Sequence, residues 1–458
     1  MCKSKSFIEY RFENVSIEIC KFLHIAYEEN QETKIFVDKL INEFIIPKIE
    51  IFEKQAKFFI IETGYIETAW KDMVSLHYIN TSYNICPSVA RIHLFTEPKL
   101  SSDTYLGYFN LRPINEFKII ISYIFPNWDV LRFKNKKDSY MMAYKEKVHI
   151  EGIELEISTF PFFAQDGVVA SCVHADILMM SLYMHKKYAA KKIKLIEIES
   201  SYSYEKKKCY PTNGLEAPQI AEIFNNNKMP IRLFYYRDKI IKDNFQDIIK
   251  MYIESGIPVL IGLGSHVILL TGHTLDPQGN YEFIVYDDSG VIVNELAQTK
   301  GFVAAVKWQK LEDKLEDFDF IVACEHEKVY MSYIDIKEFI EYQKKMAEEE
   351  DINNIKFENE NRILLMDNSD VKNSLKQKKI FHFNKNFIDE SDSIINKELP
   401  HYLWYCETKM NGTKVVYFAD PTCHFKSSNS RLINTSVFIN KNPFFLKHSL
   451  GLLTPLKN

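Results

Sequence analysis

The chain is short of the two residues that break up regular backbone. It has only 14 glycines and 15 prolines in 458 residues, set against 33 phenylalanines and 26 tyrosines. That balance excludes a collagen-like or linker-rich protein and points to bulky packing. Long apolar runs are missing too. No uncharged stretch is long enough to span a bilayer, so a transmembrane helix is not expected. Met1 to Glu9 has Lys3 and Lys5 but no apolar run after them, and does not read as a secretory signal. Neither sign of charge dominates: the formal net charge is -5. That gives no footprint for nucleic acid or an anionic membrane.

The eight cysteines are Cys2, Cys20, Cys86, Cys172, Cys209, Cys324, Cys406 and Cys423, with no CxxC pair among them. This spacing matches neither a zinc knuckle nor a small disulfide scaffold. Free thiols in a reducing compartment are the simplest account, so a cytoplasmic protein is expected. There is no glycine-rich lysine loop for phosphate, and no HExxH or tight carboxylate run for a catalytic metal. Neither a cofactor nor a metal is expected.

What is present is apolar content of 46% and enough chain for two or three domains. Phe36 to Glu62 patterns as an amphipathic helix interrupted at Pro47, and Tyr65 to Val74 as another helix. Tyr105 to Leu111 reads as a strand stopped by Arg112-Pro113, and His149 to Thr159 as one strand. Ser171 is placed as an N-cap for a broadly apolar helix running from Cys172 to about Lys187. Helices follow at Leu215 to Asn225 and Ile240 to Glu254. Strands follow at Pro258 to Leu263, His266 to Thr271, Tyr281 to Tyr286 and Phe302 to Val306, with a hairpin turn over Asp276 to Asn280. A charged helix is expected over Ile336 to Glu350. A hairpin is expected where Tyr402 to Thr408 and Lys414 to Phe418 flank Asn411-Gly412. The four tryptophans, Trp70, Trp128, Trp308 and Trp404, read as core.

Four residues in this order carry chemistry. Cys172 opens a helix, where the helix field and free N–H groups favour a thiolate. Cys209 follows Lys206-Lys207-Lys208 and Cys423 adjoins His424, but neither opens a helix. His266 begins an apolar strand after Gly262-Leu263-Gly264-Ser265 and is the candidate base. His273 lies seven residues on, and His174 faces away from Cys172 as a surface or supporting residue. Asp287, with Asp288 as the alternative, would orient the imidazole. A turn centred between Asp276 and Pro277 would set His266 across from Asp287; one centred on Gln278 would move Asp287 toward the middle of the His266 strand. Gln165 and the Cys172 N–H are the candidate oxyanion donors, and Asp166-Gly167 reads as a tight turn.

Glutamine, helix-opening cysteine, strand-opening histidine running toward Gly272, and an aspartate ending the next strand together resemble the papain-like cysteine peptidases. The closer likeness is to their bacterial C39-like branch, over roughly residues 160 to 310. The flanks Arg91-Ile92-His93-Leu94-Phe95, Tyr105 to Phe109 and Arg112-Pro113 look like those of bacterial proteins with this core. Three features depart from the usual pattern: Val173 follows the cysteine, Gln165 precedes it by seven residues, and Asp287 is followed by Asp288-Ser289.

The resemblance implies an α+β fold in which a central helix packs on an antiparallel sheet, with additional α/β flanking regions. Residues 1–145 would form an N-terminal flanking region, 146–335 the papain-like core, and 336–458 a C-terminal α/β region with the hairpin. It implies a thiol-dependent hydrolase that cleaves a peptide, amide or isopeptide bond through a thioester, using Cys172, His266, Asp287 and Gln165. The partner would be a peptide or protein substrate, with neither nucleic acid nor membrane. The alternatives are a transamidase or deamidase on a protein substrate, or a catalytically silent binding or regulatory module.

Overall fold

The computed structural model describes residues 8–9, 35, 56–80, 88–115, 118–126, 139–202, 214–299, 301–349, 356–358, 361–381, 392, 395–396, 398–410, 413–422 and 432–437. Its architecture is α+β, with helices packed on antiparallel sheets. Two compact units divide it: residues 1–243 with 257–324, and residues 244–256 with 325–458.

The first unit opens with strands β1 (Ile8–Glu9), β2 (Phe58–Tyr65), β3 (Val89–Phe95), β4 (Tyr105–Asn115) and β5 (Lys118–Pro126), paired in that order. Helix α1 (Thr68–Leu76) lies between β2 and β3 in sequence. The helix expected over Phe36 to Glu62 falls mostly outside the described residues, and its last part is β2 instead. Phe58, Phe59, Ile60 and Ile61 are aromatic and β-branched, which suits a half-buried pleated surface better than a helix. Strand β4 also corrects the reading. It continues through Arg112 and Pro113 because the ladder to β5 shifts register beside the proline, between Pro113 and Asn115.

The segment expected as one strand over His149 to Thr159 is a hairpin. After β6 (Tyr140–Met141), strands β7 (Tyr144–Ile150) and β8 (Ile153–Thr159) pair across Glu151-Gly152. Both turn residues take positive φ, 51° and 83°, as a tight hairpin needs. Strand β9 (Phe162–Phe163) then adds to β5 and completes the first sheet.

Helix α2 (Cys172–Tyr188) is the centre of this unit. Val173 through Met184 are all buried, so the helix is enclosed around its whole circumference, as an internal helix is. It stops where Ala189 adopts the left-handed conformation. Helices α3 (Leu195–Ser200), α4 (Ala217–Asn226) and α5 (Lys239–Glu254) follow, with β10 (Ile231–Tyr235) between the last two.

Strands β11 (Val259–Leu263), β12 (His266–Leu275) and β13 (Tyr281–Tyr286) form a meander. Next come α6 (Val291–Ala297), β14 (Val303–Lys307), α7 (Trp308–Glu312) and β15 (Phe320–Cys324). The second sheet runs β10-β15-β11-β12-β13-β14, with β6 joined to β12. At that junction Gly272 has no room for a Cβ, because the Tyr140 carbonyl lies where it would go. The backbone approach therefore requires glycine.

The second unit holds α8 (Tyr333–Glu349), β16 (Arg362–Asp367), α9 (Asn368–Phe381), β17 (Tyr402–Met410), β18 (Thr413–Ala419) and β19 (Leu432–Val437). Its four strands pair in sequence order. Val371, Leu375, Leu403, Val416 and Phe418 make its core. In the expected hairpin Met410 pairs with Thr413; the two residues between lie outside the described residues. Trp70, Trp308 and Trp404 are buried, and Trp128 is not among the described residues.

A buried ion pair ties α1 to β4. Glu67, the N-cap of α1, accepts from Arg112 Nε at 2.9 Å and from Asn110 Nδ2 at 2.8 Å, while the guanidinium lies against the Phe163 ring. Arg112 is wholly buried. Glu67→Ala leaves that charge uncompensated and is expected to cost about 3–5 kcal/mol. The check is the urea-unfolding midpoint followed by tryptophan fluorescence.

Candidate active site around Cys172

The site is built on the N-terminus of α2. Residues 164–171 lead from β9 into the helix, and Asp166 organises them. Its Oδ1 accepts the backbone N–H groups of Val168, Val169 and Ala170 at 3.1, 3.0 and 2.8 Å. Its Oδ2 accepts the Tyr78 hydroxyl at 2.7 Å. Asp166 is thus the turn residue expected, and it also fastens the loop to the short helical turn Tyr78–Asn80. Burial beside this carboxylate raises the Tyr78 hydroxyl far above its ordinary pKa, so it remains a donor. Gly167 takes a φ of 71°, as the tight turn demands.

Ser171 is the N-cap. Its backbone N–H donates to His174 Nδ1 at 3.3 Å, and its hydroxyl lies 2.8 Å from the same nitrogen. A ring nitrogen that accepts a backbone N–H carries no proton. His174 therefore holds its proton on Nε2, which donates to Glu199 Oε1 at 3.0 Å. His174 is completely buried. The surface placement weighed for it does not hold; it braces the helix start.

Cys172 is the first residue of α2, a free thiol of intermediate exposure. Its N–H has no carbonyl one turn earlier within the helix to bond to. Of the other described thiols, Cys324 is buried, and burial pushes the Cys406 thiol up to about 12. Cys209 and Cys423 lie outside the described residues.

His266 opens β12. The turn before it is held by Asp319, whose Oδ1 accepts the Gly264 N–H at 2.8 Å and whose Oδ2 accepts the Glu316 N–H at 2.8 Å. His266 Nε2 donates to Asp287 Oδ1 at 2.9 Å and lies 3.8 Å from Asp288 Oδ1. Cys172 is among the groups that act on the ring and raise its pKa. His273 is seven residues further along the strand, about 23 Å away at ordinary strand rise. There it packs against Tyr140 and Tyr281.

The meeting of His266 and Asp287 does not come from the register that favoured it on paper. Leu275 pairs with Tyr281 and Leu269 with Tyr286, so the turn centres on Gln278. Strand β13 ends at Tyr286, and the chain bends back so that Asp287 reaches the strand opening from beyond the ladder. Five donors hold its carboxylate there. Oδ1 accepts from His266 Nε2, the Ser289 N–H at 3.1 Å and the Ser289 hydroxyl at 2.9 Å. Oδ2 accepts the Ile292 and Val293 N–H groups at 2.7 and 3.1 Å, at the start of α6.

These contacts set the charges. Burial opposes ionisation of Asp287, but the His266 hydrogen bond and charge and the α6 N–H groups hold its carboxyl below the ordinary value. Burial likewise opposes a charged His266. The hydrogen bond to Asp287, the neighbouring Cys172 and the charges of Asp287 and Asp288 outweigh it, raising the imidazole to about 10. His266, Asp287 and Asp288 offer donor atoms within 4.8 Å of one another and are the residues that could hold a cation. The donors already on Asp287 and the proton on Nε2 make this a hydrogen-bonded cluster rather than a set of open lone pairs.

Gln165 is partly exposed in the loop before α2, and its side chain makes no hydrogen bond to another described residue. Sequence reasoning missed Ser289, Asp319 and the bracing role of His174. Ser289 had a signal: a serine two residues after an aspartate at a strand end is a local turn former.

No family model matches the chain, and no curated protein matches it. Among solved structures it is similar to the crystal structure of UfSP from C. elegans, at 13% identity, with a TM-score of 0.29. The match spans 43% of this chain and 36% of that one.

Two outcomes are expected. Asp166→Ala frees three backbone donors and the Tyr78 hydroxyl, costing about 2–4 kcal/mol in chemical denaturation. Side-chain nitrogen NMR is expected to find His266 protonated at pH 8 and titrating near 10. Asp287→Asn should lower that value, since burial then meets less opposition. Because the folded value lies above the unfolded one, the stability this proton gives is full below about pH 6.5 and is lost as pH rises through about 10.

Proposed function

We propose that this chain is a papain-like, C39-like thiol hydrolase acting on a peptide, amide or isopeptide bond. One observation carries the reading: Asp287 holds the His266 imidazole at 2.9 Å, and among the groups that act on that imidazole is a thiol that opens a buried helix. A buried carboxylate behind a histidine fixes its tautomer and steadies its charged form. The helix start in turn favours negative charge on sulfur.

In this reading Cys172 is the nucleophile and His266 enters the reaction as an imidazolium, its proton already taken from the thiol. The thiolate attacks the carbonyl carbon. The oxygen becomes an oxyanion held by the Cys172 N–H and the Gln165 amide, whose side chain is uncommitted. His266 gives its proton to the departing amine as the C–N bond breaks. It then takes a proton from water, which attacks the thioester and releases the acid and the thiol. Asp287 stays ionised throughout. The substrate carbonyl would approach the α2 terminus beside the residue 164–171 loop.

The test is intact-protein mass spectrometry with an electrophilic peptide probe at pH 7, together with hydrolysis of peptide and isopeptide substrates. One fast label is expected, absent in Cys172→Ala. His266→Ala is expected to slow both readouts by about 10²–10⁴, and Gln165→Ala to lower kcat by about 10²–10³. Labelling that ignores His266 would sink the proposal and leave a binding module.

A further inference from the structure

Asp176 stands one helical turn after Cys172 on the same face of α2. It has no solvent exposure, and neither carboxyl oxygen has a hydrogen-bond partner. It is an acid in the most apolar stretch of the helix, and the mechanism above does not use it. The charged and titratable groups that act on it are Asp288, Cys172 and Asp287. All three aspartates are essentially without exposure.

The contrast with Asp287 decides the state of Asp176. Asp287 has five donors, one of them the imidazolium, and can remain charged. Asp176 has no donor and faces like charge, so a carboxylate there would be buried, unsolvated and repelled. Burial, then the charges of Asp288, Cys172 and Asp287, raise its carboxyl well above the ordinary value. A neutral acid is also an O–H donor. The Cys172 sulfur lies one turn away on the same helix face.

We propose that Asp176 is a positioning residue of the Cys172 site, kept as a neutral carboxylic acid so that the thiolate–imidazolium pair can form beside two other buried aspartates. An ionised Asp176 would set a second negative charge one turn below the sulfur and oppose the thiolate. A neutral one adds no charge and keeps a hydrogen to donate. This role rests on the thiol reading of the site, but its protonation does not.

Three measurements on the full chain test it. In the infrared difference between wild type and Asp176→Asn at pH 7, a protonated carboxyl band is expected in the wild type and absent in the variant. In thermal melts, Asp176→Asn is expected to match wild type near pH 4 and to melt increasingly higher as pH rises to 8. The sign follows because an acid whose folded pKa lies above its unfolded one costs stability as pH passes the unfolded value, and the amide does not titrate. In Cys172 alkylation at pH 7, Asp176→Ala is expected to be at least fivefold slower than wild type, with Asp176→Asn, which keeps a donor, restored to within about threefold.

A missing band, or a melting difference that does not depend on pH, overturns the neutral acid. Equal slowing in the alanine and asparagine variants overturns the positioning role. If Asp176→Ala does not fold, the infrared and melting results on Asp176→Asn still decide the protonation, and its alkylation rate decides the role: slowing beyond tenfold rejects it. Failure of the hydrolase reading shows separately, as normal alkylation without turnover of any substrate.

Discussion

Everything at the candidate site hangs on the Asp287 carboxylate. It ties the opening of β12 to the segment that follows it in the chain, the Ser289 turn and the start of α6. Each oxygen serves a different purpose. One orients the imidazole and the other caps the helix, so the group that sets the charge of His266 also fixes where the chain goes next. A buried carboxylate is tolerated only when its lone pairs are filled, and here the filling is done mostly by backbone. That makes the arrangement stiff, as a preorganised acid–base site requires.

The large N-terminal flank has a physical part in this. Strand β9 adds to the first sheet immediately before the loop that leads to Cys172, and Tyr78 reaches across to Asp166 within that loop. The helix start is thereby anchored to the flanking sheet at one side and braced through His174 and Glu199 at the other. The position of Cys172 depends on the first sheet as much as on the helix that bears it.

The elements that carry Cys172 and His266 were readable because each sits at a sharp change of pattern, from polar turn to long apolar run. The partnership of His266 and Asp287 was readable too, but for the wrong reason. It had been tied to one hairpin register, whereas the chain uses the other and reaches back from beyond the strand end. Asp166 was legible only as a turn residue, since its bond to Tyr78 spans most of the first sheet. Asp319 acts on a backbone N–H far away in sequence and leaves no local pattern. Asp176 did leave one, as a lone acid four residues after the cysteine in an apolar helix. The hairpin at Glu151-Gly152 escaped notice because its turn lacks the usual asparagine or aspartate, and the helix expected before β2 failed where β-branched and aromatic residues outweighed an apparent helical period.

The pairing of β6 with the Gly272 region of β12 has a consequence for how the protein is made. The chain lays down Tyr140, then the whole Cys172 helix, and only much later the strand to which Tyr140 belongs. Contacts so distant in sequence close slowly, and His266 gains its carboxylate partner only once Val293 has followed it. During synthesis Cys172 is therefore translated long before His266 and Asp287. A ribosome-bound chain presents Cys172 without those neighbours, and the surroundings of the thiol arrive with tertiary closure rather than with the residue itself.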